Sequence, residues 1–211
     1  MKIKRDIVYS IVLYIMLVVI LHLLLYNNRV KLHFYAICAE MYKMDLLIVG
    51  AGGYGQLVKE IAKLSGYKKI DFLDDNSDQA IGKVSEHMKY ANYKNIIVAI
   101  GKPDIREKIV DEVECSFNLV SIVHPRAVVS DSAIVENGCV IEANAVVSSN
   151  TKLCKASFVN AGAVVNHNAI VREFCQIDCN AVVGAGREVP IKTKVESCSF
   201  FKNKVLEGQE Y

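Results

Sequence analysis

Aliphatic side chains recur at every sixth position over a long stretch of the second half of the chain. These positions are Val123, Val129, Val135, Ile141, Val147, Leu153, Val159, Val165, Val171, Ile177, Val183, Val189 and Val195. An amphipathic helix repeats about every 3.6 residues and a half-buried strand about every 2, so a strict period of six fits neither. The period is typical of a parallel β-helix, in which three short strands and their corners make one coil. We therefore predict that these side chains stack inside successive coils. An ordinary β-sandwich is the alternative, but alternation alone does not hold a six-residue register for so long.

The stretch before the repeat alternates short apolar runs with helical patterns. Leu46–Val49, residues 70–73 and residues 95–100 each predict a buried strand, because each is a brief run of aliphatic or aromatic side chains. A helical pattern runs through Ile105, Ile109 and Val113 after the third strand. Strands that alternate with helices predict a small α/β domain with a parallel sheet.

A glycine-rich turn connects the first predicted strand to the first predicted helix. Gly50, Gly52 and Gly55 match the pattern G-x-G-x-x-G, which permits a tight turn and brings phosphate oxygens to a helix N-terminus. Asp74 follows about 20 residues later, where a carboxylate can accept hydrogen bonds from ribose hydroxyls. Only about 75 residues separate this pattern from the repeat, which is short for a dinucleotide fold. Taken alone, the pattern indicates the NAD site of an NAD-dependent enzyme, although little room is left for one; a glycine turn without a ligand is the alternative.

The repeat and the glycine turn together resemble a known family over about residues 46–195. The segment 159–168, VNAGAVVNHN, is similar to the active-site coil of the hexapeptide-repeat sugar acetyltransferases. These include the sialic acid O-acetyltransferases and the N-acetyltransferases of the bacillosamine pathway. The resemblance implies a Rossmann-like α/β domain followed by an all-β, left-handed parallel β-helix, a homotrimer, and acetyl-CoA as co-substrate.

The resemblance also implies the residues of the catalytic site. His167 matches the family's catalytic histidine, and a neutral imidazole can accept a proton from an attacking amine or hydroxyl. Asn168 stands where the family usually has Asp or Glu, so it can orient the ring without offsetting its charge. Gln176 occupies a place where relatives often carry a second histidine near acetyl-CoA.

For the acceptor, the resemblance implies that the glycine turn holds the nucleotide part of a nucleotide-sugar. We expect this role for Gly50, Gly52, Gly53 and Gly55, together with the acidic pair that follows the second strand, Asp74 and Asp75. Tyr54 stands where the family usually has histidine.

The N-terminal extension, residues 1–43, contains twenty residues without a formal charge at positions 7–26. A helix of that length would span about 30 Å, the thickness of the hydrocarbon part of a bilayer. We predict a single transmembrane helix that anchors the protein on the cytoplasmic side of the inner membrane. The alternative is that the working protein starts at Met41 or Met44, directly before the first strand.

The net charge of +2 is too close to neutral to predict nucleic-acid binding. The hydrophobic content of 52% is enough for a packed core. Of the seven cysteines, those in or beside the repeat are expected to be small hydrophobic side chains in a reducing cytoplasm: Cys139, Cys154, Cys175, Cys179 and Cys198. Cys175 and Cys179 are four residues apart and no pair of histidines completes a site, so we expect no metal.

The chain is therefore expected to contain a nucleotide-sugar-binding domain at 44–120, a β-helix acyltransferase domain at 121–197 and a tail at 198–211. We predict an enzyme that transfers acetyl from acetyl-CoA to a hydroxyl or amino group of a sugar or nucleotide-sugar in surface-glycan biosynthesis. A catalytically impaired sugar-nucleotide-binding or scaffold protein of the same fold is the alternative, motivated by Asn168, Gln176 and the short C-terminus.

Overall fold

The structure, a computed structural model, describes residues 45–202. The predicted membrane anchor at 7–26 lies outside these residues and stays a prediction. Within the described part of the chain, no helix is both long enough and apolar enough to cross a bilayer.

The first part of the described chain is an α/β unit around a four-stranded parallel sheet, with strand order β2-β1-β3-β4. Its elements are β1 (Asp45–Val49), α1 (Gly53–Leu64), β2 (Lys69–Leu73), a 3-10 segment (Val84–Tyr93), β3 (Asn95–Val98), α2 (Pro103–Val113) and β4 (Asn118–Leu119). Side chains of a strand alternate between its two faces. Leu46 and Ile48 therefore pack in one core with α1, whereas Leu47 and Val49 pack in a second core with α2.

The second part is the predicted parallel β-helix, which confirms the fold class. Its strands are all two residues long: β5 (Ile122–Val123), β6 (Val128–Val129), β7 (Ile134–Val135), β8 (Val140–Ile141), β9 (Val146–Val147), β10 (Lys152–Leu153), β11 (Phe158–Val159), β12 (Val164–Val165), β13 (Ile170–Val171), β14 (Gln176–Ile177), β15 (Val182–Val183), β16 (Glu188–Val189), β17 (Lys194–Val195) and β18 (Phe200–Phe201). Each strand pairs in parallel with the strand 18 residues away, as Phe158 does with Val140 and Gln176.

The pairing divides the described coils into three flat faces. The docking face consists of β5, β8, β11, β14 and β17; the valine face of β6, β9, β12, β15 and β18; and the third face of β7, β10, β13 and β16. The second residue of each strand points inward. Val147, Val165 and Val183 are among the members of this column that have no exposed surface, so the predicted register is confirmed.

The corners also repeat every six residues. A left-handed backbone, with φ between 53° and 79°, occurs three residues after an inward side chain in eleven consecutive units. These positions are Gly138, Asn144, Asn150, Ala156, Gly162, Asn168, Phe174, Asn180, Gly186, Lys192 and Cys198. Asparagine and glycine tolerate this conformation best, and they occupy seven of the eleven positions.

Arg106 of α2 connects the α/β unit to the β-helix. Its side chain is completely buried and its guanidinium carbon lies 4.1 Å from the centre of the Phe158 ring. The guanidinium donates to the carbonyl of Ala156 at 3.0 Å in the β-helix and to those of Ile100 and Gly101 at 2.6 and 3.0 Å in the α/β unit. Burial lowers the pKa of Arg106 to about 10, which leaves it charged at neutral pH.

The helix predicted through Ile105, Ile109 and Val113 is confirmed as α2. Ile105 is exposed, however, and the buried positions of the helix are Arg106, Val110 and Val113. A hydrophobic pattern ranks isoleucine above arginine for burial, but here the planar guanidinium satisfies backbone carbonyls that an aliphatic side chain would leave unpaired.

Replacing Val165 with Asp should abolish soluble folded protein, because the change places a carboxylate in the inward column at a cost of several kcal/mol. The matched control is Ile134→Asp on β7, where the side chain points outward and is exposed. We expect its thermal transition to stay within a few degrees of the wild type. Equal loss of stability in the two variants would contradict the register.

Candidate active site

The glycine turn between β1 and α1 is built from close backbone contacts. Gly50 has φ of 102° and donates its N–H to the carbonyl of Leu73 at 2.8 Å. A Cβ on Gly55 would stand 1.9 Å from the carbonyl oxygen of Gly50, so no larger residue fits there. Gly52 and Gly53 differ, because a Cβ on either would meet no heavy atom within 4 Å. Gly50 and Gly55 are therefore required by packing, whereas Gly52 and Gly53 border open space at the pocket described below.

Asp74 holds this turn in place. One carboxylate oxygen accepts the N–H of Ala51 at 2.8 Å, and the other accepts the N–H of Asn76 at 2.8 Å. Asp75 accepts the N–H of Val84 at 3.0 Å and lines a smaller hollow to which Asp74 also contributes. Of the predicted acidic pair, Asp74 alone bonds the backbone of the glycine turn among the described residues.

A pocket of about 790 Å³ opens beside the turn. Its α/β side is formed by the turn, Asp74, and the start of α2 at Lys102 and Pro103. Its β-helix side is formed by Gln176 and Lys194, which point outward from β14 and β17 of the docking face. Both helix N-termini therefore lie at one pocket, and such termini attract anions. The structure places Gln176 in the same pocket as the glycine turn.

Tyr54 lies between this pocket and the β-helix. Its ring packs against Phe158 with the ring centres 5.0 Å apart, and its hydroxyl is buried without a hydrogen-bond partner among the described residues. Burial raises the pKa of the phenol well above its usual value, and the nearby Glu142 carboxylate raises it further. Burial likewise raises the pKa of Glu142.

Glu142 belongs to a polar column that runs along the corner between the docking and valine faces. Its members are spaced 18 residues apart: His124, Glu142, Asn160, Asp178 and Glu196. The amide of Asn160 donates to Asp178 at 2.9 Å, and the ammonium of Lys194 lies 3.2 Å from Asp178 and 3.1 Å from Glu196. Asp178 and Glu196 of this column therefore hold the side chain of Lys194, which lines the pocket.

His167 is exposed at a different corner, the one between the valine and third faces. It precedes the left-handed residue Asn168, and its backbone accepts the N–H of Gly186 at 3.0 Å. The side-chain amide nitrogen of Asn168 lies 3.2 Å from Nδ1 of His167. The structure thus brings His167 and Asn168 together, and places both across the valine face from the docking face and its pocket.

Three residues at or behind the pocket were not among the predicted site residues: Lys102, Arg106 and Lys194. Lys194 could have been found from the register, because residues 122, 140, 158, 176 and 194 occupy equivalent outward positions. Lys102 and Arg106 depend on how α2 docks, which no local pattern indicates.

Comparison with known proteins agrees with this architecture. The family model of the PglD N-terminal domain matches residues 45–113. The acetyltransferase domain of PglB from Neisseria gonorrhoeae, solved with acetyl coenzyme A, is 31% identical with a TM-score of 0.70, and the match covers 74% of this chain and 80% of that chain. The chain belongs to the hexapeptide-repeat sugar acetyltransferases. This acetyltransferase therefore uses acetyl-CoA as acyl donor and a sugar or nucleotide-sugar as acceptor.

A more distant structure shares the fold. The GDP-perosamine N-acetyltransferase of Caulobacter crescentus, solved as a variant with CoA and GDP-perosamine, is 21% identical with a TM-score of 0.54. The match covers 71% of this acetyltransferase and 90% of that chain.

Two alanine variants should separate the packing glycines from the glycines that keep the pocket open. Gly55→Ala should lower the free energy of unfolding by about 2 kcal/mol or more, because its Cβ collides with the Gly50 carbonyl. Gly53→Ala, in the first turn of α1, should be neutral or up to about 1 kcal/mol stabilising, because alanine favours a helix. Urea denaturation measures both; equal destabilisation would contradict the geometry of the turn.

Proposed function

We propose that this acetyltransferase N-acetylates the amino group of a nucleotide-linked amino sugar, with His167 as general base, in a homotrimer whose active sites lie between neighbouring chains. The observation that carries the proposal is the pairing of a nucleotide-type pocket with a His167–Asn168 pair. Family membership supplies acetyl transfer, and the arguments below concern the acceptor atom and the assembly.

The pocket suits a nucleoside diphosphate. Its lining combines an open glycine turn, two helix N-termini and the side chains of Lys102 and Lys194. The carboxylate of Asp74 already accepts two backbone N–H groups, which reduces its repulsion of an anion. An amino sugar attached to the diphosphate would then extend from the pocket.

The neutral partner of His167 favours an amine over a hydroxyl. An amine attacks a thioester through its own lone pair, whereas a hydroxyl needs strong base assistance during the attack. Asn168 cannot stabilise an imidazolium as a carboxylate would. In the reaction, the C–N bond forms, the C–S bond breaks, and the amine proton passes through the imidazole to the departing thiolate.

The proposed role also specifies the orientation of the Asn168 amide. If its nitrogen donates to Nδ1 of His167, the ring proton is on Nε2, which then cannot act as a base. If the amide is rotated by 180°, its oxygen accepts from Nδ1–H, and Nε2 is left to take the proton. The proposal requires the second arrangement.

A trimer would bring His167 to the pocket. The outward positions of the valine face are all apolar: Val128, Val146, Val164, Val182 and Phe200. Val128 and Phe200 are exposed in the single chain. In a trimer, the valine faces of three copies would surround one axis. The His167 corner of each chain would then lie against a corner of the next chain, namely the one between its docking and valine faces. That second corner borders the pocket.

Replacing His167 with Ala should lower kcat on the true acceptor by about 10²–10⁴, or roughly 3–5 kcal/mol of barrier. The assay follows release of the CoA thiol over a panel of nucleotide-linked amino sugars and their hydroxyl counterparts. Asn168→Asp should move the acidic limb of the pH–rate profile, where the rate falls as the imidazole becomes protonated, to higher pH, because a carboxylate favours the imidazolium.

His87→Ala is the control, because His87 lies in the 3-10 segment of the α/β unit and contacts Phe117. It should keep wild-type kcat. Wild-type turnover by His167→Ala would remove the catalytic assignment. Turnover of hydroxyl acceptors alone would replace N-acetylation by O-acetylation, and no turnover of any acceptor by the wild type would favour the scaffold alternative.

A further inference from the structure

The outward side chains of the docking face change from apolar to polar along the β-helix. Ile122, Val140 and Phe158 are buried beneath the α/β unit. The next two positions, Gln176 and Lys194, are polar and line the pocket. The α/β unit therefore covers three coils, and the coils beyond it form part of the pocket wall.

Lys194 is held in a defined position on that wall. Its ammonium lies 3.2 Å from Asp178 and 3.1 Å from Glu196, and the side chain is 50% exposed. Hydrogen bonds to Glu196 and Asp178 raise the pKa of the ammonium, so it stays charged at neutral pH. A lysine that is already positioned loses less side-chain entropy when it binds a ligand.

The charges at the pocket favour an anion opposite the glycine turn. Lys102 and Lys194 line it from two sides, whereas Asp74 supplies its carboxylate to the backbone of the turn. Asp178 and Glu196 reduce the field of Lys194 but stand outside the lining. Glu196 is the more exposed of the two carboxylates and is screened more by solvent.

We propose that the β-helix itself binds the acceptor: Lys194 contacts the diphosphate of the nucleotide-sugar from the docking face, and Gln176 beside it contacts the same ligand. The inference rests on the proposed nucleotide-linked acceptor. It assigns Gln176 to the acceptor instead of the expected place near acetyl-CoA, and it adds Lys194 as a specificity-determining residue.

The test compares Lys194→Met with Lys152→Met in the full chain. Lys152 is the matched control: it is also the first residue of a β-helix strand, pairs with Glu136 at 2.8 Å and is 41% exposed, but lies on the third face. Lys194→Met should raise the acceptor KM roughly 10–100-fold, as expected for loss of a charged hydrogen bond. The acetyl-CoA KM should stay unchanged. Lys152→Met should leave both constants unchanged.

Calorimetric titration tests the contact without turnover. UDP, GDP and dTDP and their nucleosides serve as probes, at low and moderate salt. The wild type should bind one nucleoside diphosphate more tightly than its nucleoside, and Lys194→Met should remove most of that difference together with part of the salt dependence. Gln176→Ala should weaken the same nucleoside diphosphate and leave acetyl-CoA binding intact.

A third variant should change affinity in the opposite direction. Glu196→Gln removes a carboxylate that competes with the ligand for Lys194, so it should tighten nucleoside diphosphate binding about two- to threefold. If Lys194 only supports the fold, Lys194→Met and Glu196→Gln should both weaken binding and both lower the thermal transition.

The inference is overturned if the wild type binds none of the three nucleoside diphosphates, or if Lys194→Met binds the preferred one as the wild type does. A Lys194→Met variant with a raised acetyl-CoA KM and an unchanged acceptor KM would also overturn it. An enzyme that binds nucleoside diphosphates through Lys194 but acetylates no amino sugar would instead contradict the proposed N-acetylation.

Discussion

The six-residue register is the constraint on which the rest of the structure depends. One inward aliphatic side chain in each unit, and one left-handed corner residue in eleven of the units, keep the strands of the three faces in line. Because three units make a coil, residues 18 apart occupy equivalent positions in successive coils, so their side chains form columns along the β-helix. The polar column at the corner and the apolar column of the valine face are two such consequences.

Arg106 connects the α/β unit to the β-helix beside the pocket. A buried charge without a carboxylate partner is costly, and the hydrogen bonds of this guanidinium among the described residues all go to backbone carbonyls. The carbonyl groups around it compensate, and they belong to both parts: Ala156 in the β-helix, and Ile100 and Gly101 at the pocket wall. The guanidinium thereby keeps the wall of the nucleotide-type pocket in register with Gln176 and Lys194 on the docking face.

The β-helix could be predicted from the sequence because its signal is repeated thirteen times and each repetition reports on the same physical position. The glycine turn was predictable for a similar reason, since Gly50 and Gly55 are required by local backbone contacts. The contacts of Asp75 and the burial of Arg106 were not predictable in this way. They depend on the 3-10 segment and on the docking of α2, which involve residues far apart in sequence. Asparagine alone does not identify the left-handed corner position: Asn144, Asn150 and Asn180 have left-handed backbones, whereas Asn137, Asn160 and Asn166 do not.

His167 lies across the valine face from the docking face and its pocket, so in the proposed trimer each catalytic site would take its parts from two copies of the chain. Subunit mixing tests this most directly. Two inactive variants would be refolded or coexpressed together: His167→Ala, which keeps the pocket, and Gly53→Trp, whose indole would fill it. If sites are shared in a trimer, random mixing should restore about a quarter of wild-type activity. Activity that stays at the sum of the two separate variants would show that each chain works alone and would contradict the account.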